Sequence, residues 1–310
     1  MSEVKVFLNS PHEDWIVDRL IDEWRDGNSQ ISTHDIISSN LVWIISPWAI
    51  KSLSKKELKK RKVFCTIHHL DEEKFNFLEK RKFKNLDRLV DHYHVISDQT
   101  ENSLKKLTKK PIWNNPWWID QNKWFKIENK TLLRQELRVS KDNFLIGSFQ
   151  RDTEGSDLKS PKLSKGPDRL IEIILEYKKK YKNLQVILSG KRRQYVINKL
   201  KENNINYLYF EMADVESLNK LYNSLDLYIV SSRVEGGPQA IYECAMAQVP
   251  IISTDVGVAN KFLDKSSIYE MENFQKAQPN VKIAYNKIQS QKIPIGFNPF
   301  IEKLREIVES

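Results

Sequence analysis

Two glutamates bracket a glycine-rich turn in the C-terminal third of the chain. Glu235 stands immediately before Gly236 and Gly237, and Glu243 closes the stretch EGGPQAIYE. Pro238 occupies the position where a helix would begin, so Glu243 lies about one and a half turns inside that helix, too far along to cap it. Backbone N–H groups at the start of a helix attract anions. The stretch therefore predicts an anion-binding turn with a carboxylate on either side.

Short apolar runs on both sides of this turn predict the element that positions it. LDLYIV (225–230) precedes the turn, and VPIIST (249–254) follows the helical stretch 240–247. This order is typical of a βαβ unit with parallel strands, whose strand-to-helix turn is a place where ligands bind. The alternative is that both glutamates are solvated or only interact with the helix dipole.

EGGPQAIYE, preceded by SSR and followed by AMAQVPIISTDVG, resembles the Glu-x7-Glu motif of GT-B glycosyltransferases, especially the retaining glycosyltransferase family 4. The resemblance is specific over about residues 144–257. It implies that Glu235 contacts hydroxyls of the donor sugar, in a catalytic role. It also implies that Glu243 accepts hydrogen bonds from the ribose of the nucleotide, and that turn amides hold the diphosphate. The donor-binding turn consists of Gly236, Gly237, Pro238 and Gln239.

Two basic residues match the same family in front of the motif. Arg151 follows the apolar run FLIGSF, and Lys165 begins KGPD, where family members carry an Arg and a Lys-Gly. The resemblance implies that both side chains clamp the donor diphosphate and stabilise the negative charge that develops on the leaving group. Between them lies an insertion, residues 153–164. It is interpreted either as a mobile lid or as a loop that contacts the acceptor.

Two further positions complete the predicted site. His68, in CTIHH, matches a Thr-hydrophobic-His pattern whose His lies near the donor sugar, and His69 competes for the same assignment. Gly190 ends the apolar run LQVILSG, at the edge where the resemblance places the base of the nucleotide. Two segments depart from the family: NSPHED replaces a Gly-Gly loop after the first strand, and DVGVAN replaces the usual ending of the motif.

The alternation of strands and helices predicts an α/β fold with two Rossmann-like domains. The resemblance implies the GT-B arrangement, in which the two domains face each other across a cleft, with residues 1–130 as the acceptor domain and residues 131–296 as the donor domain. By resemblance, the terminal helix 297–310 packs back onto the first domain. The Trp-rich stretch 111–125 reads as a loop that packs its aromatic side chains between the domains.

The pattern of apolar residues sets the predicted bounds. In the first domain the expected strands are 4–9, 41–46, 63–71 (a strand that runs into a loop) and 93–97, and the expected helices are 15–26, 51–62, 71–83 and 98–108. In the second domain the expected strands are 144–149, 184–190, 205–210, 225–230 and 249–254, and the expected helices are 131–138, 167–181, 194–203 and 214–224.

Composition restricts the class and the partners of the protein. The 310 residues carry a net charge of +9, which suits nucleic acid, anionic lipid headgroups or phosphorylated substrates. The two cysteines lie in apolar runs, without metal-ligand spacing, which predicts a reducing, cytoplasmic location. No apolar run approaches the length of a membrane span. Basic residues cluster within 51–62 and 80–84 and would contact an anionic membrane at its inner face, or form a solvated surface.

The resemblance implies a retaining, metal-independent glycosyltransferase that transfers a sugar from a nucleoside-diphosphate-sugar donor to a carbohydrate or lipid-linked acceptor, with no other cofactor. The chain has no Asp-x-Asp metal-binding motif, which fits this expectation. A GT-B epimerase or phosphorylase is the nearer alternative. A non-catalytic sugar-nucleotide-binding module and a nucleic-acid-binding protein are the others. The last is disfavoured because the tryptophans lie in a Pro/Asn turn rather than in a basic stripe.

Overall fold

The protein is described here by a computed structural model that covers residues 3–13, 16–72 and 75–310. The chain divides into two compact units, the first formed by Met1–Trp118 with Gln291–Ser310 and the second by Ile119–Ser290. Each unit is built on a parallel sheet of six strands. The prediction of an α/β fold with two Rossmann-like domains is confirmed. The division falls after Trp118 and Ser290, whereas the sequence suggested boundaries at 130 and 297.

The first sheet has the strand order β2-β1-β3-β4-β5-β6. Its strands are β1 (Val6–Leu8), β2 (Ser32–Thr33), β3 (Leu41–Ile44), β4 (Lys62–Ile67), β5 (His92–Val95) and β6 (Ile112–Asn114). Its α-helices are α1 (Ile16–Gly27), α2 (Lys55–Leu58), α3 (Phe77–Asp87), α4 (Asp98–Lys105) and, from the C-terminus, α12 (Asn298–Glu309). Strand β3 is buried along its whole length, as expected for a central parallel strand covered on both faces.

Side chains of β3 alternate between two cores. Val42 and Ile44 belong to a cluster with Leu58 of α2 and Phe83 of α3. Trp43 points the other way, with its ring 5.3 Å from that of Trp24 and 5.4 Å from that of Phe300. This alternation follows from the two-residue period of a strand. Helix α12 therefore supplies part of the first unit's core.

The second sheet has the order β11-β10-β7-β12-β13-β14. Its strands are β7 (Phe144–Ser148), β10 (Leu184–Ser189), β11 (Asn206–Phe210), β12 (Leu227–Val230), β13 (Ile251–Thr254) and β14 (Ile268–Tyr269). A separate antiparallel pair, β8 (Thr153–Glu154) and β9 (Ser160–Pro161), forms in the insertion. The helices are α5 (Lys130–Glu136), α6 (Pro167–Lys180), α7 (Gln194–Glu202), α8 (Val215–Ser224), α9 (Gln239–Ala247), α10 (Ala259–Phe262) and α11 (Val281–Ile288).

Several predicted bounds in the first unit are corrected. The helix expected at 71–83 begins at Phe77, because Asn76 caps it by accepting from the N–H groups of Leu78 and Glu79. Residues 73–74 of that range, like Trp15 at the start of the helix expected at 15–26, lie outside the described residues. The basic stretch expected as one helix over 51–62 is a 3-10 helix, Pro47–Ser52, followed by the single turn of α2. The Trp-rich stretch begins with a sixth strand, β6, rather than a loop.

None of the helices in the described part of the chain combines the length and the apolar character that a membrane crossing requires.

Candidate functional site

The carboxyl ends of β7 and β12 mark the place in the second sheet where a ligand is expected. The chain runs from β7 outward through β10 to β11, and then returns to the other side of β7 with β12. Ligands of open parallel sheets bind at this switch in strand order. Arg151 follows β7, and Glu235 follows β12. Two of the predicted site residues therefore lie in the loops at this switch point.

The loop that carries Lys165 packs directly on the turn that carries Glu235. The carbonyl of Ser164 accepts hydrogen bonds from the N–H groups of Arg233 and Val234, at 2.8 and 3.1 Å. Gly166 is left-handed, with φ +61°, and a Cβ there would lie 1.8 Å from the carbonyl oxygen of Ser231. Only glycine permits this approach, which explains the Lys-Gly pair.

Arg233 fixes the same turn to the first turn of α6. Its guanidinium donates two hydrogen bonds to the carboxylate of Asp168, at 2.7 and 2.6 Å, and a third to the carbonyl of Leu163 at 3.0 Å. The hydrogen bonds from Arg233 hold the pKa of Asp168 below its usual range. Bidentate pairing of this kind fixes orientation as well as distance.

Lys165 and Glu235 form an ion pair, with side chains 20% and 12% exposed. Arg151 lies in the same region, and its Nε donates to the carbonyl of Thr153 at 3.0 Å. Burial, followed by the nearby charge of Arg192, lowers the pKa of Arg151. The structure thus places a carboxylate and two cations at the switch point, as the sequence suggested.

A third cation, Lys162, was not predicted. Burial lowers the pKa of its ammonium most, and the nearby charges of Lys165 and Arg151 lower it further, whereas Glu235 and Glu154 act in the opposite sense. Local sequence offered no reason to choose it, because it is one of two lysines in the insertion. Its position follows from the hairpin.

Glu243 lies inside α9 and is 6% exposed. The hydroxyl of Tyr222, from α8, donates to its Oε2 at 2.7 Å. Burial and the neighbouring Glu243 raise the pKa of Tyr222 well above its ordinary value, so the phenol stays protonated and remains a donor. Tyr222 therefore orients Glu243. Sequence reasoning missed this residue because α8 and α9 meet only in the folded sheet.

The turn before α9 is shaped by a glycine from the next loop. Gly257 is left-handed, with φ +57°, and a Cβ there would lie 2.4 Å from the carbonyl oxygen of Gly236 and 3.0 Å from the nitrogen of Gly237. The sequence suggested Pro238 as the first helical residue. In the structure Pro238 is the N-cap of α9, and the first residue of the helix is Gln239. The stretch DVGVAN, which departs from the family pattern, thus still supplies a glycine that packs against the predicted donor-binding turn.

Gly190 directly follows β10 and is hydrogen-bonded to the adjacent edge strand β11. Its N–H donates to the carbonyl of Phe210 at 3.3 Å, and its carbonyl accepts from the hydroxyl of Tyr209 at 3.1 Å. It lies at the carboxyl end of the sheet, where the sequence placed it.

His68 belongs to the first unit and follows β4 at the carboxyl end of that sheet. Its Nε2 is 2.8 Å from the carbonyl of Ile45, and its ring lies 5.6 Å from that of the exposed Trp48. Because Nε2–H donates to a carbonyl, Nδ1 is the nitrogen left to accept. Burial lowers the pKa of His68 to about 4, so the imidazole is neutral near pH 7.

Within the described residues, no group of three or more His, Cys, Asp and Glu side chains is arranged to hold a metal ion.

Comparisons with known proteins agree with this fold. Residues 160–268 match the family described as glycosyl transferases group 1. An uncharacterized glycosyltransferase of Methanocaldococcus jannaschii is 30% identical over 158 residues. That match covers 49% of this chain but only 35% of the relative, so the chain spans about a third of its length.

Two solved structures resemble nearly the whole chain. HepE of Anabaena, crystallised with UDP and glucose, has a TM-score of 0.70 at 14% identity and covers 98% of this chain and 100% of its own. Sucrose-phosphate synthase of Thermosynechococcus elongatus has a TM-score of 0.67 at 14% identity, covering 96% and 80%. The fold is therefore that of the GT-B glycosyltransferases. The matched segment contains Lys165, Glu235 and Glu243.

Proposed function

We propose that the protein is a retaining, metal-independent glycosyltransferase of the family 4 type. It would transfer a sugar from a nucleoside-diphosphate-sugar donor to a hydroxyl of a carbohydrate or lipid-linked acceptor. The observation that carries this proposal is the placement of Lys165, Arg151 and Glu235 together at the switch point, beside the start of α9. Cations and helix-start amides at one place suit a diphosphate, and the adjacent carboxylate suits sugar hydroxyls.

In the proposed reaction the bond between the anomeric carbon of the sugar and the diphosphate oxygen breaks. The acceptor oxygen forms the new bond from the same face, and its proton passes to the departing diphosphate. Lys165 and Arg151 stabilise the negative charge on that leaving group. Glu235 positions the sugar through its hydroxyls. Glu243, held by Tyr222, accepts from the ribose, so binding of the nucleoside depends on a pre-oriented carboxylate.

Uridine diphosphate sugars are the first donors to test. The HepE structures were solved with UDP and with UDP-glucose. The base would be bound beside Gly190, whose carbonyl accepts a hydrogen bond from the hydroxyl of Tyr209. We therefore expect UDP to bind before GDP, ADP or dTDP.

Thermal unfolding in the presence of these four diphosphates tests the proposal. We expect one of them to raise the unfolding temperature of the wild-type chain, and the shift to shrink in Glu243→Gln. Gln keeps an oxygen that accepts from Tyr222 but loses the charge that the ribose hydroxyls would meet. Tyr177→Phe, on the outer helix α6, is the matched control. A folded wild-type chain that responds to none of the four would contradict the proposal.

Product analysis separates the related reactions. With a UDP-sugar and a mixture of acceptor glycans, we expect UDP release that depends on the acceptor. Formation of a sugar phosphate from inorganic phosphate would instead indicate a phosphorylase. Conversion of the sugar without any acceptor would indicate an epimerase.

The first unit would contact an anionic membrane through the start of α3. Phe77 and Leu78 are 76% and 62% exposed. The exposed cations Lys80, Arg81 and Lys84 follow within the same helix. Apolar side chains beside cations are what an interfacial segment on anionic lipid requires. A cytoplasmic location remains a prediction from the sequence.

A further inference from the structure

The insertion 153–164 is anchored at its base by a buried ion pair. Arg193 Nε lies 2.5 Å from Asp152 Oδ2, and the two side chains are 0% and 2% exposed. The same guanidinium donates to the carbonyls of Ser148 and Ser189, the last residues of β7 and β10. A buried charge of this kind is tolerated only when its partners are fixed. The hairpin is therefore attached to the carboxyl edge of the sheet at its base.

Further hydrogen bonds hold both arms of the hairpin in place. The carbonyl of Arg192 accepts from the N–H groups of Asp152 and Thr153, at 3.2 and 3.0 Å. The hydroxyl of Thr153 accepts from the N–H of Tyr195 at 2.9 Å. On the returning arm, the N–H of Lys162 donates to the carbonyl of Asp152 at 2.8 Å.

Lys162 is thereby held between the hairpin and Lys165. Its carbonyl accepts from the N–H of Lys165 at 2.8 Å. Its ammonium is partly buried and lies within electrostatic reach of Lys165, Arg151 and Glu235. These three cations outnumber the two nearby carboxylates, Glu235 and Glu154, and the remaining positive charge, partly removed from water, favours a bound anion. The hairpin thus adds a cation at the place where the proposed function puts a diphosphate.

We propose that Lys162 is a third cationic contact for the donor diphosphate, and that Arg193, through Asp152, is the positioning residue that holds the hairpin so that Lys162 reaches it. This inference rests on the proposed function. It predicts that the site selects donors linked through two phosphates over donors linked through one, because a monophosphate leaves one of the three cations without a partner.

Titration calorimetry with UDP, UMP and inorganic pyrophosphate tests the role of Lys162. We expect Lys162→Met to weaken the binding of UDP and pyrophosphate by about tenfold or more, since a hydrogen bond to a charged group is lost. We expect UMP to be affected less than about twofold. Lys159→Met, at the exposed tip of the same hairpin, is the matched control and should bind like the wild type.

The outcomes separate the inference from the function on which it rests. If Lys162→Met binds UDP as the wild type does while Lys165→Met loses it, the inference is wrong and the proposed function stands. If the folded wild-type chain binds neither pyrophosphate nor any of the four nucleoside diphosphates, both are wrong. If the panel selects another base, its diphosphate and monophosphate replace UDP and UMP.

The positioning role is tested by removing both buried charges together, in Arg193→Gln with Asp152→Asn, so that neither charge is left unpaired. We expect the affinity for UDP to fall to that of Lys162→Met, and no further when Lys162→Met is added, because both changes remove the same contact. Losses that simply add would contradict it. If the double variant does not fold, Thr153→Val is a milder change at the hairpin base. We expect it to lower the affinity for UDP by a smaller factor, again without adding to the effect of Lys162→Met.

Discussion

At the scale of single residues, the site depends on pairs of side chains that fix each other. Glu243 is oriented by the hydroxyl of Tyr222, and Lys165 is paired with Glu235. Neither pair was predicted as a pair. Residue types and their spacing identified Glu243 and Glu235, but the partner of Glu243 comes from a different helix.

Tyr222→Phe should weaken nucleoside binding without preventing folding. The change removes only the hydroxyl that donates to Glu243, so the carboxylate loses its orientation while the aromatic packing remains. We expect the affinity for UDP to fall by about tenfold, from the loss of a hydrogen bond to a charged group, and pyrophosphate to be unaffected. Titration of both ligands checks this. An equal loss for UDP and pyrophosphate would show that Tyr222 supports the whole turn instead.

His68 should make stability depend on pH. Its pKa in the folded state is about 4, below the ordinary value of 6.5, so the folded state resists protonation. The stabilisation is complete above about pH 6.5 and is lost as pH falls toward 4. Between pH 7 and pH 5 we expect the free energy of unfolding of the wild type to fall by up to about 2 kcal/mol more than that of His68→Gln. Urea unfolding at pH 7 and pH 5 measures this, and parallel pH dependences of the two proteins would contradict it.

At the scale of elements, the glycine turn before α9 is shaped by loops that follow different strands. The turn after β12 is held on one side by Gly166 and on the other by Gly257. A correct βαβ assignment therefore did not give the shape of the turn, because the residues that shape it are distant in sequence.

Gly257→Ala should alter the turn and not only destabilise the chain. An alanine at φ +57° is strained, and its Cβ would meet the Gly236 carbonyl at 2.4 Å. We expect a loss of about 1–3 kcal/mol in the free energy of unfolding and a reduced response to UDP. Gly155→Ala, also at positive φ but at the hairpin tip, supplies the same backbone strain, and its Cβ would meet only side-chain atoms, the nearest being Oδ1 of the exposed Asp157 at 2.9 Å. It should destabilise the chain and leave nucleotide binding intact; equal responses of the two variants would argue against the role of Gly257.

The start of α3 should determine membrane binding. We expect the wild-type chain to sediment with vesicles that contain anionic lipid and not with neutral ones, and Phe77→Ser with Leu78→Ser to reduce that binding by about tenfold. Phe125→Ser with Leu132→Ser replaces exposed apolar residues of the second unit, 46% and 48% exposed, and is the matched control. Similar binding of both variants would contradict a specific contact through α3.

At the scale of the molecule, the first unit is completed by the C-terminus. Phe300 of α12 is fully buried, and its ring is stacked on Trp117 and Trp43 at centroid distances of 5.6 and 5.4 Å. Trp113 and Trp118 lie within 4.9 and 5.1 Å of the same ring. The tryptophans of the stretch 111–125 that belong to this unit therefore pack with the returning helix.

Phe300→Ala should strongly destabilise the first unit. Removal of a buried phenylalanine leaves a cavity and costs about 3–5 kcal/mol. Urea unfolding followed by tryptophan fluorescence reports on this unit directly, because the tryptophans surround the deleted ring. Phe125→Ala, at a residue 46% exposed, should change the free energy of unfolding by less than about 1 kcal/mol. A loss no larger than that of the control would show that α12 contributes little.

The sequence by itself determined the class of fold and named the principal residues of the candidate site. Buried parallel strands appear as continuous apolar runs, and a glycine turn before a helix is a local pattern, so both can be recognised from neighbouring residues. The two-residue strands β2 and β14 have no such pattern and were not predicted.

Only the tertiary structure decided which residues complete the site. Tyr222, Gly257 and Lys162 reach it from a separate helix, a separate loop and the inserted hairpin. None of these residue types is unusual in its local sequence, and none occurs at a spacing that indicates its role. Strand order brings these distant segments to one edge of the sheet, and strand order is set by the packing of the whole unit rather than by any local stretch.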